Sequence, residues 1–434
     1  MKRIVLSGLV LCSGFMVQAQ SIDKIICTDK VTEIEKVLSA DDMQGRRAFT
    51  PGIYKASGYI ESQFKNIGLQ TFNGAEDYKQ EFAMTESKRT GLEVQIDGKT
   101  IDEESMISFS YQPQVSLSEG SAITVVNIRA GDSFGPKFYE YYQSDKNLLV
   151  LVDDSFKRAI QNMRHMNQMA ANPGKNTVVF VFGPTEATHF SIEATNSITT
   201  KKLNNVVGVL KGKSQPNEYV VFSGHYDHLG VGSPAEGEAH DATDSIYNGA
   251  NDDAAGTTAV ILLAEYFKKM NNNERSIIFT AFVAEELGGY GSKYFSKQLD
   301  PAQVMAMFNL EMIGTESKWG KNSAYITGYD KSNMGEILQK NLEGSVFKFH
   351  PDPYPEQQLF YRSDNATLAR LGVPAHTIST SKMDNELNYH KASDEIETLD
   401  MNNMTEIIKA IAISSSTIVS GKDTPTRVDT SKLK

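Results

Sequence analysis

The chain has 434 residues, 40% of them hydrophobic and 22% charged, a globular composition that excludes a mini-scaffold, a disordered chain and a collagen-like or coiled-coil rod. Its length implies one large domain or two unequal ones. With 43 Lys and Arg against 54 Asp and Glu, the net charge of -11 repels phosphate backbones and anionic lipid heads and argues against a nucleic-acid partner.

Residues 1–19 open with Lys2 and Arg3, run mostly apolar from Ile4 to Val17 and end on Val17-Gln18-Ala19, the pattern of a secretory signal peptide. The protein is therefore expected to be exported, periplasmic or secreted. A lipoprotein reading through Cys12 is disfavoured by the bulky Leu11 before it. The apolar run is too short for a bilayer, and no later stretch reaches the ~20 apolar residues a membrane helix needs, so no membrane span is expected. Removal of the leader leaves Cys27 alone, which excludes an internal disulfide. Its place after Ile25-Ile26 predicts a buried, inert thiol.

Apolar residues at helical spacing cover 31–38 and 53–67, the second run stopped by Gly68. From about Phe82 to Ser197 the character changes. Residues 92–96 alternate and lead into Asp97-Gly98, a hairpin signal, and short strand candidates follow at 122–128, 148–152 and 178–182. This stretch, 82–197, reads as a separate β-rich unit inserted between 20–81 and 198–420. Strand and helix patterns then alternate: strands at 206–210, 219–222, 276–283, 305–310 and 375–379, helices at 254–270, 290–299, 333–342, 366–371 and 404–418. Short, nearly continuous apolar strands between helices predict an α/β fold with a mixed, largely parallel sheet covered by helices on both faces. Ligands gather at the carboxyl ends of such strands. The polar tail, 421–434, is expected to be disordered.

Candidate chemistry clusters where those strands end. His225, in Ser223-Gly224-His225-Tyr226-Asp227-His228, leaves the strand 219–222, and Asp227 is placed to accept the second imidazole N–H and fix the tautomer of a metal-bound His225. Gly249-Ala250-Asn251-Asp252-Asp253-Ala254-Ala255-Gly256 opens a helix; capping accounts for one of its two acids, and the flanking glycines suggest a tight turn presenting a carboxylate. Glu285-Glu286 follows the strand 276–283. Adjacent like charges at a buried strand end are costly without a cation, so one would ligate and the other would hold a raised pKa suited to a general base. Glu311 follows the strand 305–310, and His390 lies in Asn388-Tyr389-His390. Together His225, Asp252, Glu286, Glu311 and His390 offer two imidazoles and three carboxylates, a set suited to two zinc ions bridged by one carboxylate.

With these clusters the chain resembles the zinc aminopeptidases of peptidase family M28. The resemblance runs from Leu38-Ser39-Ala40-Asp41-Asp42-Met43-Gln44-Gly45-Arg46-Arg47 through Asn205-Val206-Val207-Gly208 to Arg362-Ser363-Asp364, Gly372-Val373-Pro374-Ala375 and Tyr389-His390. It implies a zinc-exopeptidase sheet, two zinc ions held by His225, Asp252 as bridge, Glu286, Glu311 and His390, Glu285 as general base, Asp227 behind His225, a cis peptide at Asp252-Asp253, and Tyr389 near the tetrahedral intermediate. The implied substrates are peptides with a free N-terminus and an uncharged first residue. The inserted segment resembles, in position and β-rich character, the protease-associated domain of many members. Two residues depart from the family pattern: Glu311 stands where Asp is common, and Asn365 where His is common. A carboxypeptidase or a one-zinc glutaminyl cyclase of the same fold, and a binding protein that has lost its metals, are the competing readings; the intact His225 and Glu285-Glu286 disfavour the last two. Asn365-Ala366-Thr367 and Asn403-Met404-Thr405 match the N-glycosylation sequon.

Overall fold

The computed structural model describes residues 22–164, 168–232 and 244–433. The expected leader, 1–19, lies outside the described residues. The chain divides into two compact units, one of residues 1–81 and 203–434, the other of residues 82–202.

The larger unit is built on a mixed sheet in the order Lys348–Pro351, Ser323–Ile326, Ala375–Ser379, Val304–Leu310, Gln215–His225, Arg275–Phe282, and the 206–210 end of Phe190–Leu210. Its four central strands run parallel, so their carboxyl ends, with His225, Val283 and Leu310, lie along one edge of the sheet. Burial on both faces explains their unbroken apolar runs: in Gln215–His225, Val221 joins one core with Ile278, Phe295, Met307 and Leu368, while the next residue, Phe222, stacks on Phe267, Phe279 and Phe308 at centroid distances of 5.5, 5.8 and 4.8 Å. Tyr290–Ser296 and Asn365–Ala369 contribute to the Val221 core. The helix Ala255–Met270 is buried over most of its length and supplies Phe267 to the Phe222 stack. No helix among the described residues is long and apolar enough to cross a membrane.

Two short strands of this sheet, Ser323–Ile326 and Lys348–Pro351, carry too few residues for a periodic signal. The second sits at the sheet edge, where Pro351 leaves no ladder donor missing. Helices end where the chain offers a left-handed stop: Pro51–Ile67 closes on Gly68 at φ 79°.

The smaller unit holds a four-stranded sheet in the order Met106–Ser110, Thr177–Phe182, Asn147–Val152, Ile123–Ile128, its last three strands parallel. Phe138 of the helix Phe134–Tyr142 packs into its core with Phe109 and Phe180. Asp97 and Gly98, both at positive φ, turn Lys79–Ile96 into Lys99–Thr100.

Two expectations are corrected, and the two sequons are located. Cys27 is half-buried at the start of the helix Thr28–Leu38, because the preceding apolar pair and not the thiol faces inward. Asn365 and Asn403 are 0% and 3% exposed, so neither sequon is presented in the folded chain. The tail after Gly421 is ordered: Arg275 donates to the carbonyl of Asp423 and to Thr424, Arg427 donates to the carbonyl of Val304, and Val428 is buried with its N–H on Gly372. One apolar anchor and two arginine clamps outweigh the polar composition that suggested disorder. Val428→Asp is accordingly expected to cost about 2–4 kcal/mol, the burial of an unpaired charge. Guanidinium unfolding checks this; an unchanged midpoint would mean that the tail contributes nothing to the fold.

Candidate metal centre

His225 ends the central strand Gln215–His225, and its Nδ1 meets the backbone carbonyl of Asp227 at 3.0 Å. That bond assigns the proton to Nδ1 and turns the lone pair of Nε2 outward. Nε2 faces Asp252 Oδ1 at 3.2 Å and Glu311 Oε1 at 3.3 Å. On the other side of Asp252, Oδ2 lies 3.3 Å from His390 Nε2, which is also 3.2 Å from Glu286 Oε2. The Asp252 carboxylate thus presents one oxygen to each of two donor groups, His225 with Glu311 and His390 with Glu286.

These separations are long for charged hydrogen bonds and close to those between ligands that share one ion. A charged N–H···O bond runs about 2.7–2.9 Å, whereas donors about 2.0–2.1 Å from a tetrahedral zinc lie about 3.3–3.4 Å apart. The four contacts at 3.2–3.3 Å match the edge of a coordination polyhedron. His228 behaves differently: its Nδ1 is 2.7 Å from Glu286 Oε1, an ordinary hydrogen bond that fixes the Glu286 carboxylate. Ser363 does the same for Glu311, its hydroxyl donating to Oε2 at 2.5 Å. With imidazole nitrogen and carboxylate oxygen as donors, the arrangement fits two divalent metal ions.

Adjacent Asp252 and Asp253 are joined by a cis peptide and have separate tasks. Asp253 accepts three backbone N–H bonds, from His225 at 3.1 Å, Gly256 at 3.0 Å and Met312 at 3.1 Å, and so ties the His225, Asp252 and Glu311 segments together. A side chain at Gly256 would strike that carboxylate and the Leu310 carbonyl. The Asp252 carboxylate is left free because Asp394 takes the backbone: its two oxygens accept the N–H groups of Asn251 and Asp252 at 2.9 and 3.0 Å.

Arg46, wholly buried, closes the frame. It donates to the carbonyls of Leu38, Tyr226, Asn248 and Gly249, clamping the turn after His225 to the loop before Asp252. Asp227 receives the N–H groups of Glu285 and Glu286 at 3.1 and 3.4 Å. Its carboxylate therefore positions the glutamates while lying 3.8 Å from His225 Nδ1, and the hydrogen bond that orients His225 goes to the Asp227 carbonyl and not, as expected, to its carboxylate. Ala284, Met312 and His390 all adopt positive φ beside or within the donor set, a local cost that the surrounding bonds hold in place.

Burial dominates the electrostatics. It raises the Glu285 carboxyl well above its ordinary range, aided by the charges of Glu311, Asp364 and Glu286, and it lifts Asp364 to about 7 and Asp227 and Asp394 to about 6. Burial also opposes the His390 cation, yet the Asp252 and Glu286 carboxylates hold its pKa at about 10. Glu285 borders a cavity lined by Met312, Tyr325, Leu359, Met383 and Tyr389. The Tyr389 ring stacks on His390 at 3.9 Å.

The sequence model of peptidase family M28 matches residues 205–414, the segment that carries every donor described above. Residues 205–414 belong to peptidase family M28. Curated relatives include a probable zinc metalloprotease of Pyricularia oryzae, 37% identical over 118 residues that make up 27% of this chain and 22% of that protein. Another is a leucine aminopeptidase 1 of Ajellomyces dermatitidis, 27% identical over 219 residues, 47% of this chain and 53% of that one. The chain spans about half or less of the length of these relatives. Among solved structures, an aminopeptidase from Aneurinibacillus sp. strain AM-1 superposes with a TM-score of 0.53 at 18% identity, covering 95% of this chain and 98% of that one. A zinc aminopeptidase from Bacillus subtilis does so with 0.53 at 16%, covering 92% and 97%. At these identities the likeness is one of fold, a mixed α/β sheet of the zinc-exopeptidase type.

Within this M28 unit the structure brings together His225, Asp252, Glu286, Glu311 and His390, with Glu285 and Tyr389 beside them. Asn365, where the family commonly has His, is buried and points away from the donors: it donates to the carbonyls of Phe360 and Ala375 and accepts from Thr377. Sequence reasoning missed His228, Asp253, Asp394 and Ser363 as the partners that fix the donors. His228 alone had a legible signal, a second imidazole three residues after His225. The division of labour at Asp252-Asp253 predicts opposite outcomes for two substitutions in chelator-treated protein. Asp253→Asn removes acceptors from buried N–H groups and is expected to cost about 1–3 kcal/mol of stability, while Asp252→Asn leaves thermal unfolding near that of the parent and lowers metal affinity. Thermal unfolding and metal titration check both, and the reverse pattern would exchange the two roles.

Proposed function

We propose that the chain is an exported dinuclear zinc exopeptidase, an aminopeptidase that removes uncharged residues from the N-terminus of peptides. The observation that carries this reading is the Asp252 carboxylate turned to two donor groups at coordination distances, with Glu285 on the wall of the adjoining cavity. His225, Glu311 and Asp252 would hold one ion, and His390, Glu286 and Asp252 the other. Zinc bound there supplies Lewis acidity to a water molecule and to the scissile carbonyl.

The chain's own groups do the rest. Glu285 takes the proton of the attacking water on its carboxylate and returns it to the leaving nitrogen, a task its raised pKa suits. Asp227 holds the Glu285 and Glu286 N–H groups and so fixes both side chains. The Tyr389 hydroxyl steadies the developing oxyanion. Surplus carboxylate charge attracts the free amine of the substrate, and the Met312, Tyr325, Leu359 and Met383 side chains of the cavity favour an uncharged first residue. The basic start, apolar run and small-residue end of 1–19 support export to the periplasm or beyond.

Glu285→Gln should retain bound metal and lose about 10²–10⁴-fold in kcat, because an amide cannot accept the proton. Aminoacyl fluorogenic substrates should be cleaved and their N-acetyl counterparts not. Equal turnover of free and blocked substrates would exclude an aminopeptidase, and near-normal rates in Glu285→Gln would remove Glu285 from the reaction.

A further inference from the structure

A second cavity, of about 690 Å³, also has Glu285 on its wall. Its wall carries Lys293, Lys297, Arg362 and Arg370, and Glu285 is the one acid among its described lining residues. In a chain with a surplus of carboxylates, four cations on one cavity are out of proportion to the average surface. None of the four forms an ion pair among the described residues. Lys293 Nζ donates to the carbonyl of Gly288 at 2.7 Å and lies 5.6 Å from the Tyr290 ring centre. Arg362 Nη1 donates to the Gln357 amide oxygen at 3.2 Å, and the Arg370 guanidinium lies 5.3 Å from the Tyr361 ring centre. These contacts hold Lys293, Arg362 and Arg370 in place and leave their charge uncompensated.

Glu285, Arg362 and Ser363 border both cavities. In the proposed reaction the first residue of the peptide occupies the cavity of Met312, Tyr325 and Met383, and Glu285 hands its proton to the leaving nitrogen. The peptide beyond the scissile bond therefore leaves past Glu285, into the cationic cavity. We infer that this cavity is a leaving-group subsite for a carboxylate, placed one or two residues after the scissile bond. The inference rests on the exopeptidase reading and adds the substrate class: short peptides whose free C-terminus reaches the cavity, or longer ones with an acidic side chain there. The chemistry recognised is a carboxylate in either case, which planar guanidinium forks suit.

The test compares kcat/KM for three peptides sharing the best first residue: X-Ala-Ala with a free carboxylate, X-Ala-Ala-amide, and X-Asp-Ala-amide. The free tripeptide should exceed its amide by about tenfold or more, the scale of one charge-assisted contact, and the ratio should shrink as salt rises. In Lys297→Gln/Arg370→Gln the ratio should fall towards one, and in Lys297→Glu/Arg370→Glu it should invert. Inversion also separates recognition of charge from a general structural defect, which would lower all three rates together. If only X-Asp-Ala-amide gains over the neutral amide, the carboxylate recognised is an acidic side chain. Equal turnover of all three by the parent enzyme, or ratios indifferent to both double variants, would overturn the inference and leave the aminopeptidase reading intact. Failure of the parent to cleave any of the three, or the aminoacyl fluorogenic substrates, would overturn that reading and this inference with it.

Discussion

Buried negative charge at the carboxyl edge of the parallel strands is the constraint on which the rest of the structure depends. Asp227, Asp252, Asp253, Glu285, Glu286, Asp364 and Asp394 crowd round His225, His228 and His390, and burial with mutual repulsion pushes several of these carboxyls far above their ordinary range. Imidazoles and Arg46 offset only part of that charge. A cluster of this kind is costly to assemble unless cations complete it, and the 3.2–3.3 Å spacing between His225, Asp252, Glu311, Glu286 and His390 leaves two places for them.

The surroundings can be understood as a frame that resists this repulsion. Asp253 gathers three backbone N–H groups, Asp394 two and Asp227 two, so these three acids, none of them a donor, spend their lone pairs on the loops that carry donors. Arg46 joins four carbonyls from both sides of the site, and its neighbour Glu35, lifted to about 8 by burial, is bonded to Thr258 of the central helix. Rigidity follows from these bonds, and with it the pre-organisation that a hydrolytic centre needs.

Much of this was legible in the chain because parallel strands buried on both faces leave unbroken apolar runs, and the first polar residues after them mark the ligand edge. His225, Glu285-Glu286 and Glu311 all follow that rule. Positions set by long-range bonds were not legible: Asp394 acts on Asn251 and Asp252 across 142 residues or more, and nothing local distinguishes Asp253 from Asp252. Short edge strands such as Lys348–Pro351 and the tail after Gly421 owe their order to partners elsewhere in the chain, the strand Ser323–Ile326 for the first and Arg275 for the second, so composition alone misjudged them.

The central claim is that the charge cluster is completed by two zinc ions sharing Asp252. Elemental analysis of the purified chain, compared with its Asp252→Asn variant by the same method, tests it directly. The account predicts about two zinc ions per parent chain and the loss of at least one in the variant. A parent chain that binds no transition metal when dialysed against zinc, or a variant that retains two, would contradict it.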